Sequence, residues 1–400
     1  MANYDYDVIT VGGGLGGSAL AKVLAENGLR VLVIERERQF KDRIRGEWMA
    51  PWGVAEAQNL GLYDTLLERC GHETPFFDTI GMGPARDLRT TTPQQLPSLT
   101  FYHCAMQEVL IEVARNAGAV VWRGASVCDV RLGHGHPAIA TVELDGAVRE
   151  LSARLVVSAD GRSSNGRTWG GFEAHRGKQR LLGAGVMFEN MFVQEDKNLL
   201  VMLPGVQRAA LLFPQGRGRV RSYIVYGPHE IGRLQGMGDA DRFVEECVRT
   251  GIPRDSFTGV RAVGPLATFD MTESWIDNPY RDGFALIGDA AASTDPTWGQ
   301  GLSLTLRDVR VLSEKLIANP DWEMAARTYA AEHEHYLKSM LTAHGWLFDF
   351  FFDLGPEAAA RRARALPLLM HEPERAPDHN FSGPEMPSDE NARRRFFADD

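Results

Sequence analysis

The run Tyr6-Asp7-Val8-Ile9-Thr10-Val11 passes straight into Gly12-Gly13-Gly14-Leu15-Gly16-Gly17, and this junction constrains the fold more than any other stretch of the chain. The apolar run predicts a strand over 6–11. The glycines predict a tight turn, residues 18–26 a helix stopped at Asn27-Gly28, and residues 30–34 a second strand ending at Glu35. Each glycine of the G-x-G-x-x-G set has a physical task. Gly12 permits the turn, Gly14 lets backbone approach a pyrophosphate, and Gly17 lets helix pack closely on strand. The first N–H groups of the helix have no partner inside it and suit phosphate. Glu35, 23 positions after Gly12, can accept hydrogen bonds from ribose hydroxyls. The glycine motif alone is weak evidence. In this strand, turn, helix, strand and acid context it implies a dinucleotide site, with flavin and nicotinamide both open.

A second signature lies far downstream. Phe284 to Ile287 form a short apolar run that ends at Gly288-Asp289, and Pro296, Gly299 and Gly301 then open a helix. An acid at a strand end followed by free helix N–H groups suits an extended, partly anionic ligand. A third strand end, Ala159-Asp160-Gly161, delivers another acid followed by glycine. The mixed-charge run after Glu35, from Arg36 through Arg45 to Glu47, fits a solvated loop. The sharper alternative has Arg45 reaching across the dinucleotide and Arg36 flanking its adenine end.

Composition excludes several classes of function. The 400 residues hold 43 Lys and Arg against 53 Asp and Glu, a net charge of −10 that argues against general nucleic-acid affinity. The four cysteines have neither disulfide density nor C-x-x-C spacing, so a reducing, cytoplasmic setting is expected and metal binding has no support. No secretory leader and no membrane span are expected. The apolar patch at 346–352 is read as a packed helix, a pocket wall or a dimer contact.

Between the signatures, residues 105–117 predict a helix bearing Gln107 near its start, either a surface amide or a flavin contact. Residues 120–122, 126–132, 138–144 and 148–158 predict a strand and a meander. From 181 to 264 alternating strands suggest an antiparallel sheet that floors a substrate pocket. Period two places Arg219, Arg221 and Tyr223 on one face. A solvated face is the preferred reading, with an anionic or phenolic substrate contact through Arg221 and Tyr223 as the alternative. The chain turns helical after Arg307 to about Leu369, and 371–400 is expected to lie extended on the surface.

Taken together, Gly12-x-Gly14-x-x-Gly17 with Glu35, Asp160-Gly161, and Gly288-Asp289 followed by Pro296 and Gly299-Gln300-Gly301 resemble the class A flavoprotein monooxygenases, the para-hydroxybenzoate hydroxylase family, over residues 4–315. The resemblance implies an α/β architecture. A Rossmann-type FAD-binding domain (1–75, 100–180 and 270–320) is interleaved with an antiparallel-sheet substrate domain (76–99 and 181–269), and 321–400 form a helical C-terminal region. It implies FAD as cofactor, with Gly12 to Gly17 and Glu35 on the ADP half, where the spacing also sets Arg36, Val127 giving backbone contacts to adenine, and Arg45 and Gln107 along the ligand. Asp160 would serve both FAD and the nicotinamide donor, Asp289 the ribityl and pyrophosphate region, and Pro296, Gly299, Gly301 and Leu302 the flavin ring.

The implied reaction uses NADH or NADPH and O2 to hydroxylate a small, aromatic molecule through a flavin C4a-hydroperoxide. No catalytic acid or base can be named, and His103 is read as structural. A halogenase of the same fold is disfavoured because none of the eight tryptophans forms W-x-W. It stays open as an alternative, beside a prenyl reductase of the same fold and a non-catalytic FAD-fold binding protein.

Overall fold

Parallel strands surround the glycine turn. In the computed structural model, which describes residues 4–44 and 46–399, Tyr6–Val11 pairs in parallel with Val31–Glu35 on one side and with Ala147–Ser158 on the other. The sheet runs Tyr280–Arg281, Phe284–Leu286, Ala147–Ser158, Tyr6–Val11, Val31–Glu35, Val120–Arg123. Val11 lies opposite both Ser158 and Ile34, and Ser158 lies opposite Leu286, so these strands finish level with one another. Glu35, Asp160 and Asp289 therefore leave the sheet at a common edge, where open α/β sheets collect their ligands.

The strand Ala147–Ser158 shows how sequence pattern follows environment. Residues 147–153 pair antiparallel with Ala138–Leu144 in the meander and begin exposed. Residues 153–158 enter the parallel sheet and become a buried apolar run, Leu155-Val156-Val157, because helices or sheet cover both faces.

A second sheet has seven strands, in the order Arg261–Asp270, Leu182–Glu189, Val220–Tyr226, Arg208–Pro214, Lys197–Leu203, Phe76–Thr79, Arg86–Asp87. Its pairings are antiparallel except that between Lys197–Leu203 and Phe76–Thr79. The expected antiparallel sheet is present, joined by strands from residues 76–87.

Two expectations need correction here. Arg221 is fully buried, not part of a solvated face, because the acid Glu47 meets it from a distant segment. The stretch 371–400 is not an extended surface strap. It forms the helices His379–Ser382 and Glu390–Phe397, with Phe396 and Phe397 1% and 0% exposed. Phe396 packs on Phe350 at a ring separation of 5.2 Å, so the aromatic pair outweighs the prolines and charges around it. The 346–352 patch is the buried end of the helix Trp322–Phe351, lying against Trp298.

Candidate active site

Glu35 closes the glycine turn. Its Oε2 accepts from Gly13 N–H at 2.7 Å and its Oε1 from Glu37 N–H at 2.8 Å. The carboxylate is thereby held at the strand end, and each oxygen keeps a further lone pair for a hydroxyl donor. Gly17 is required by packing, since a Cβ there would sit 1.9 Å from Gly12 O. Gly14 is different: a Cβ would meet only Gln107 Nε2, at 3.4 Å. No protein atom demands that glycine, and the volume it leaves open belongs to the cavity beside it.

That cavity measures about 760 Å³. Gly12, Gly14, Leu15, Gly16, Glu35, Arg36, Gln107, Val127, Asp160, Asp289, Pro296, Gly299, Gly301, Leu302 and Tyr223 all line it. Gly13 and Gly17 act from behind the wall. Arg45 lies outside the described residues. Gln107 is half-buried on the cavity side of the helix His103–Asn116, not a surface amide. His103 also lines the cavity, its Nδ1 bonded to Gly46 O at 2.9 Å, so that nitrogen carries the proton.

The second acid is held as firmly. Asp160 accepts from Ser158 Oγ at 2.7 Å and from Asn165 N–H at 2.8 Å. Arg167, on the short helix Gly166–Trp169 that follows this loop, donates to Asp289 O at 2.9 Å, Ala290 O at 2.8 Å and Ser274 Oγ at 2.8 Å. It couples the Asp160 loop to the Asp289 turn. Burial lowers the Arg167 pKa while Asp289 and Asp160 raise it. From the opposite side Asp308 accepts from Gly288 N–H at 2.7 Å, and is itself held by His333 Nδ1 at 2.8 Å and by Tyr336 OH.

Pro296 begins a single 3-10 turn, and Gly299 leaves it with φ +70°, where an added Cβ would strike the Trp48 ring at 2.6 Å. The helix Gly301–Ala318 follows. Its N-cap Gln300 turns inward, accepting from Trp52 Nε1 at 2.9 Å and donating to Asn380 O at 3.1 Å. No side chain caps the first turn, and Gly301 and Leu302 face the cavity. Free N–H groups and the helix dipole make this end attractive to developing negative charge.

The far wall comes from the seven-stranded sheet. Leu211 and Phe213 alternate along one strand, Tyr223 and Val225 along its neighbour, and Phe269 and Met271 complete the surface. Beneath Tyr223, Arg221 Nε donates to Glu47 Oε2 at 2.6 Å and Nη2 to Glu47 Oε1 at 3.1 Å. Burial opposes the Arg221 charge, yet Glu47 raises its pKa further still. Burial and then the Glu47 charge also raise the Tyr223 phenol well above its usual value, keeping it protonated. Glu47, Trp48 and Arg167 were not singled out from sequence. The available signal was an acid at the head of the apolar run Trp48-Met49-Ala50-Pro51-Trp52.

These residues fit a dinucleotide cofactor. Carboxylates stand at intervals along a cavity with a glycine-cleared backbone at one end and an uncapped helix at the other. The model of the FAD binding domain matches residues 5–337. The chain belongs to the class A flavoprotein monooxygenase family. This flavoprotein is an FAD-dependent oxidoreductase. It is 29% identical to ubiquinone hydroxylase of Rhodospirillum rubrum, over 89% of this chain and 84% of that protein. It is 30% identical to rifampicin monooxygenase of Streptomyces venezuelae, over 82% and 68%. The solved p-nitrophenol 4-monooxygenase of Pseudomonas putida superposes with a TM-score of 0.76 over 100% of this chain and 98% of that one; at 21% identity this shows a shared fold. Among the described residues of the flavoprotein, no helix is long and apolar enough to cross a membrane.

Proposed function

We propose that the flavoprotein hydroxylates a small ring compound with NADH or NADPH as electron donor and O2 as oxygen source. The observation that carries this reading is one continuous cavity that joins the Glu35 end to the apolar wall of Phe213, Tyr223 and Phe269. Bound FAD supplies hydride acceptance and oxygen activation, so the chain must bind, orient and exclude water. In this reading the Gly12–Gly17 turn, Glu35, Arg36 and Val127 hold the ADP half, with Arg45 and Gln107 along the ligand. Asp160 and Asp289 face its central region. Pro296, Gly299, Gly301 and Leu302 border the ring, and the helix N–H groups stabilise charge there.

The same reading assigns 1–75, 100–180 and 270–320 to FAD and 76–99 and 181–269 to the substrate. The apolar wall gives a reactive oxygen species few waters to react with. Tyr223, held protonated, is not a base.

The test is NAD(P)H oxidation by the purified yellow protein under labelled O2 across a panel of phenols and quinols. Mass analysis showing one labelled oxygen in the product supports hydroxylation. A product that gains two hydrogens and no label identifies a reductase instead.

A further inference from the structure

The match to the FAD binding domain ends at residue 337, yet a segment well beyond it, residues 378–385, reaches the cavity wall from behind. Asp378 anchors this segment. Its carboxylate accepts from both terminal nitrogens of Arg86, the Nη2 bond measuring 2.9 Å, and from Ser382 Oγ. Gln94 Nε2 donates to Ser382 O at 2.9 Å, and Ser339 Oγ to Pro384 O at 2.7 Å. The segment is thereby tied to residues 76–99 on one side and to the helix Trp322–Phe351 on the other.

Two contacts run from it toward the end of the cavity that the uncapped helix faces. The Gln300 side chain is fully buried, and its amide has one orientation that satisfies every neighbour: Oε1 accepts from Trp52 Nε1, while Nε2 donates to the carbonyls of Trp298 and Asn380. Without Asn380 O, a buried amide hydrogen at the head of the helix Gly301–Ala318 would lose its partner. The second contact is aromatic. Phe381 makes T-shaped contacts with Trp48 at 6.0 Å and with Phe77 at 4.9 Å, and the Arg86 guanidinium lies over its ring at 4.9 Å. Trp48 in turn stacks on Phe213 at 6.0 Å, both rings lining the cavity, and its indole is the group that a Cβ at Gly299 would strike.

We propose that Phe381 is a positioning residue of the flavin-ring site: it holds the Trp48 indole against Gly299, while the Asn380 carbonyl beside it holds Gln300 at the head of the cavity-facing helix. The C-terminal segment is then part of the active site, although none of its residues lines the cavity. This rests on the reading that seats the flavin ring at Gly299 to Leu302. Backbone N–H groups stabilise charge on a ring only if they are fixed before it develops, and an indole free to tilt would let the Gly299 turn move with it.

The test compares two variants of the full chain that each remove a C-terminal phenylalanine, at a temperature where both are folded. Phe381→Ala is expected to shift the visible circular-dichroism spectrum of the bound flavin and to raise the FAD Kd by roughly tenfold. Phe397→Ala, whose ring lies against Arg361 and Arg393, is expected to leave both at the parent values. Parent values in Phe381→Ala overturn the proposal, and so do equal changes in the two variants, which would mean that the segment acts only through folding. If Phe381→Ala does not fold, Asp378→Asn, which loosens the part-exposed anchor to Arg86, is read in the same way: a shifted spectrum supports the proposal and the parent spectrum overturns it. Gly299→Ala presses on the indole from the opposite side and is expected to shift the spectrum as well. A shift with Gly299→Ala but not with Phe381→Ala overturns the role of Phe381 alone. No shift with either, in protein that retains FAD, shows instead that the ring is seated elsewhere.

Discussion

At the scale of single residues, Glu35 has the most direct consequence. Its two oxygens already accept backbone N–H groups, and their remaining lone pairs point to ribose in the proposed site. Glu35→Gln keeps the size but removes the charge and one acceptor. It is expected to weaken FAD binding by about 1–3 kcal/mol, measured by titrating apoprotein with FAD. Retention equal to the parent would remove Glu35 from the cofactor site.

Asp295 sets a pH dependence. It is buried directly before Pro296, and burial pushes its pKa up to about 6 from 3.8, with Glu273 adding to the rise against the hydrogen bonds from Thr297. Folded protein therefore holds this proton more tightly than unfolded protein. The contribution to stability is complete below pH 3.8 and is lost as pH rises through about 6. His379 acts in the opposite sense, its pKa lowered to about 4 from 6.5 by burial and by His344. Its contribution is complete above pH 6.5 and is lost as pH falls through about 4. Asp295→Asn should be more stable than the parent at neutral pH, by up to about 3 kcal/mol, and lose that advantage in acid. Urea unfolding across pH measures it; a gain independent of pH would show that the Asp295 charge is not responsible.

Legibility at this scale depended on distance along the chain. Period two correctly placed Arg221 and Tyr223 on one face, since that follows from strand geometry alone. Solvation was misread because the partner Glu47 is 174 positions away, and nothing local to Arg221 announces it.

At the scale of elements, the turn Gly288–Ala290 is held from two sides, by Arg167 on its carbonyls and by Asp308 on the Gly288 amide. Asp308 lies on the helix whose first turn faces the cavity, so one element both presents N–H groups and braces the turn that carries Asp289. Asp308→Ala leaves Gly288 N–H and His333 without an acceptor in a buried place. The expected cost is about 3 kcal/mol or more in unfolding free energy, with a shifted flavin visible circular-dichroism spectrum. A normal spectrum in a destabilised protein would confine Asp308 to folding.

The two C-terminal helices offer a sharper contrast. Phe397→Ala in a surface strap would cost less than about 0.5 kcal/mol, whereas in the packed helix it should cost about 3–5 kcal/mol. Thermal or urea unfolding separates the two. Composition misread this stretch because prolines and charges outnumber the three phenylalanines, Phe381, Phe396 and Phe397, that anchor it. The boundaries of the parallel strands were read well because buried strands are continuous apolar runs bounded by glycine.

At the scale of the molecule, the cavity exists only where the two sheets and the helix Gly301–Ala318 come together. FAD should therefore raise the unfolding temperature of the whole chain, by an amount that grows with free FAD as mass action requires. An unfolding temperature independent of added FAD would mean that the cavity is not its site. The architecture was legible because three strand-end acids with their glycines repeat one local pattern. The way the cavity is shared was not, since it depends on registers such as Leu211 opposite Tyr223 that no single segment encodes.

The strand Ala147–Ser158 lies between the first strand of the chain and Phe284–Leu286. During synthesis, a nascent chain that stops short of Phe284 presents an unpaired apolar edge at Val156-Val157-Ser158. That edge can accept a strand from a neighbouring molecule, so the interval before residue 284 leaves the ribosome is a period of aggregation risk that ends when Phe284–Leu286 pairs.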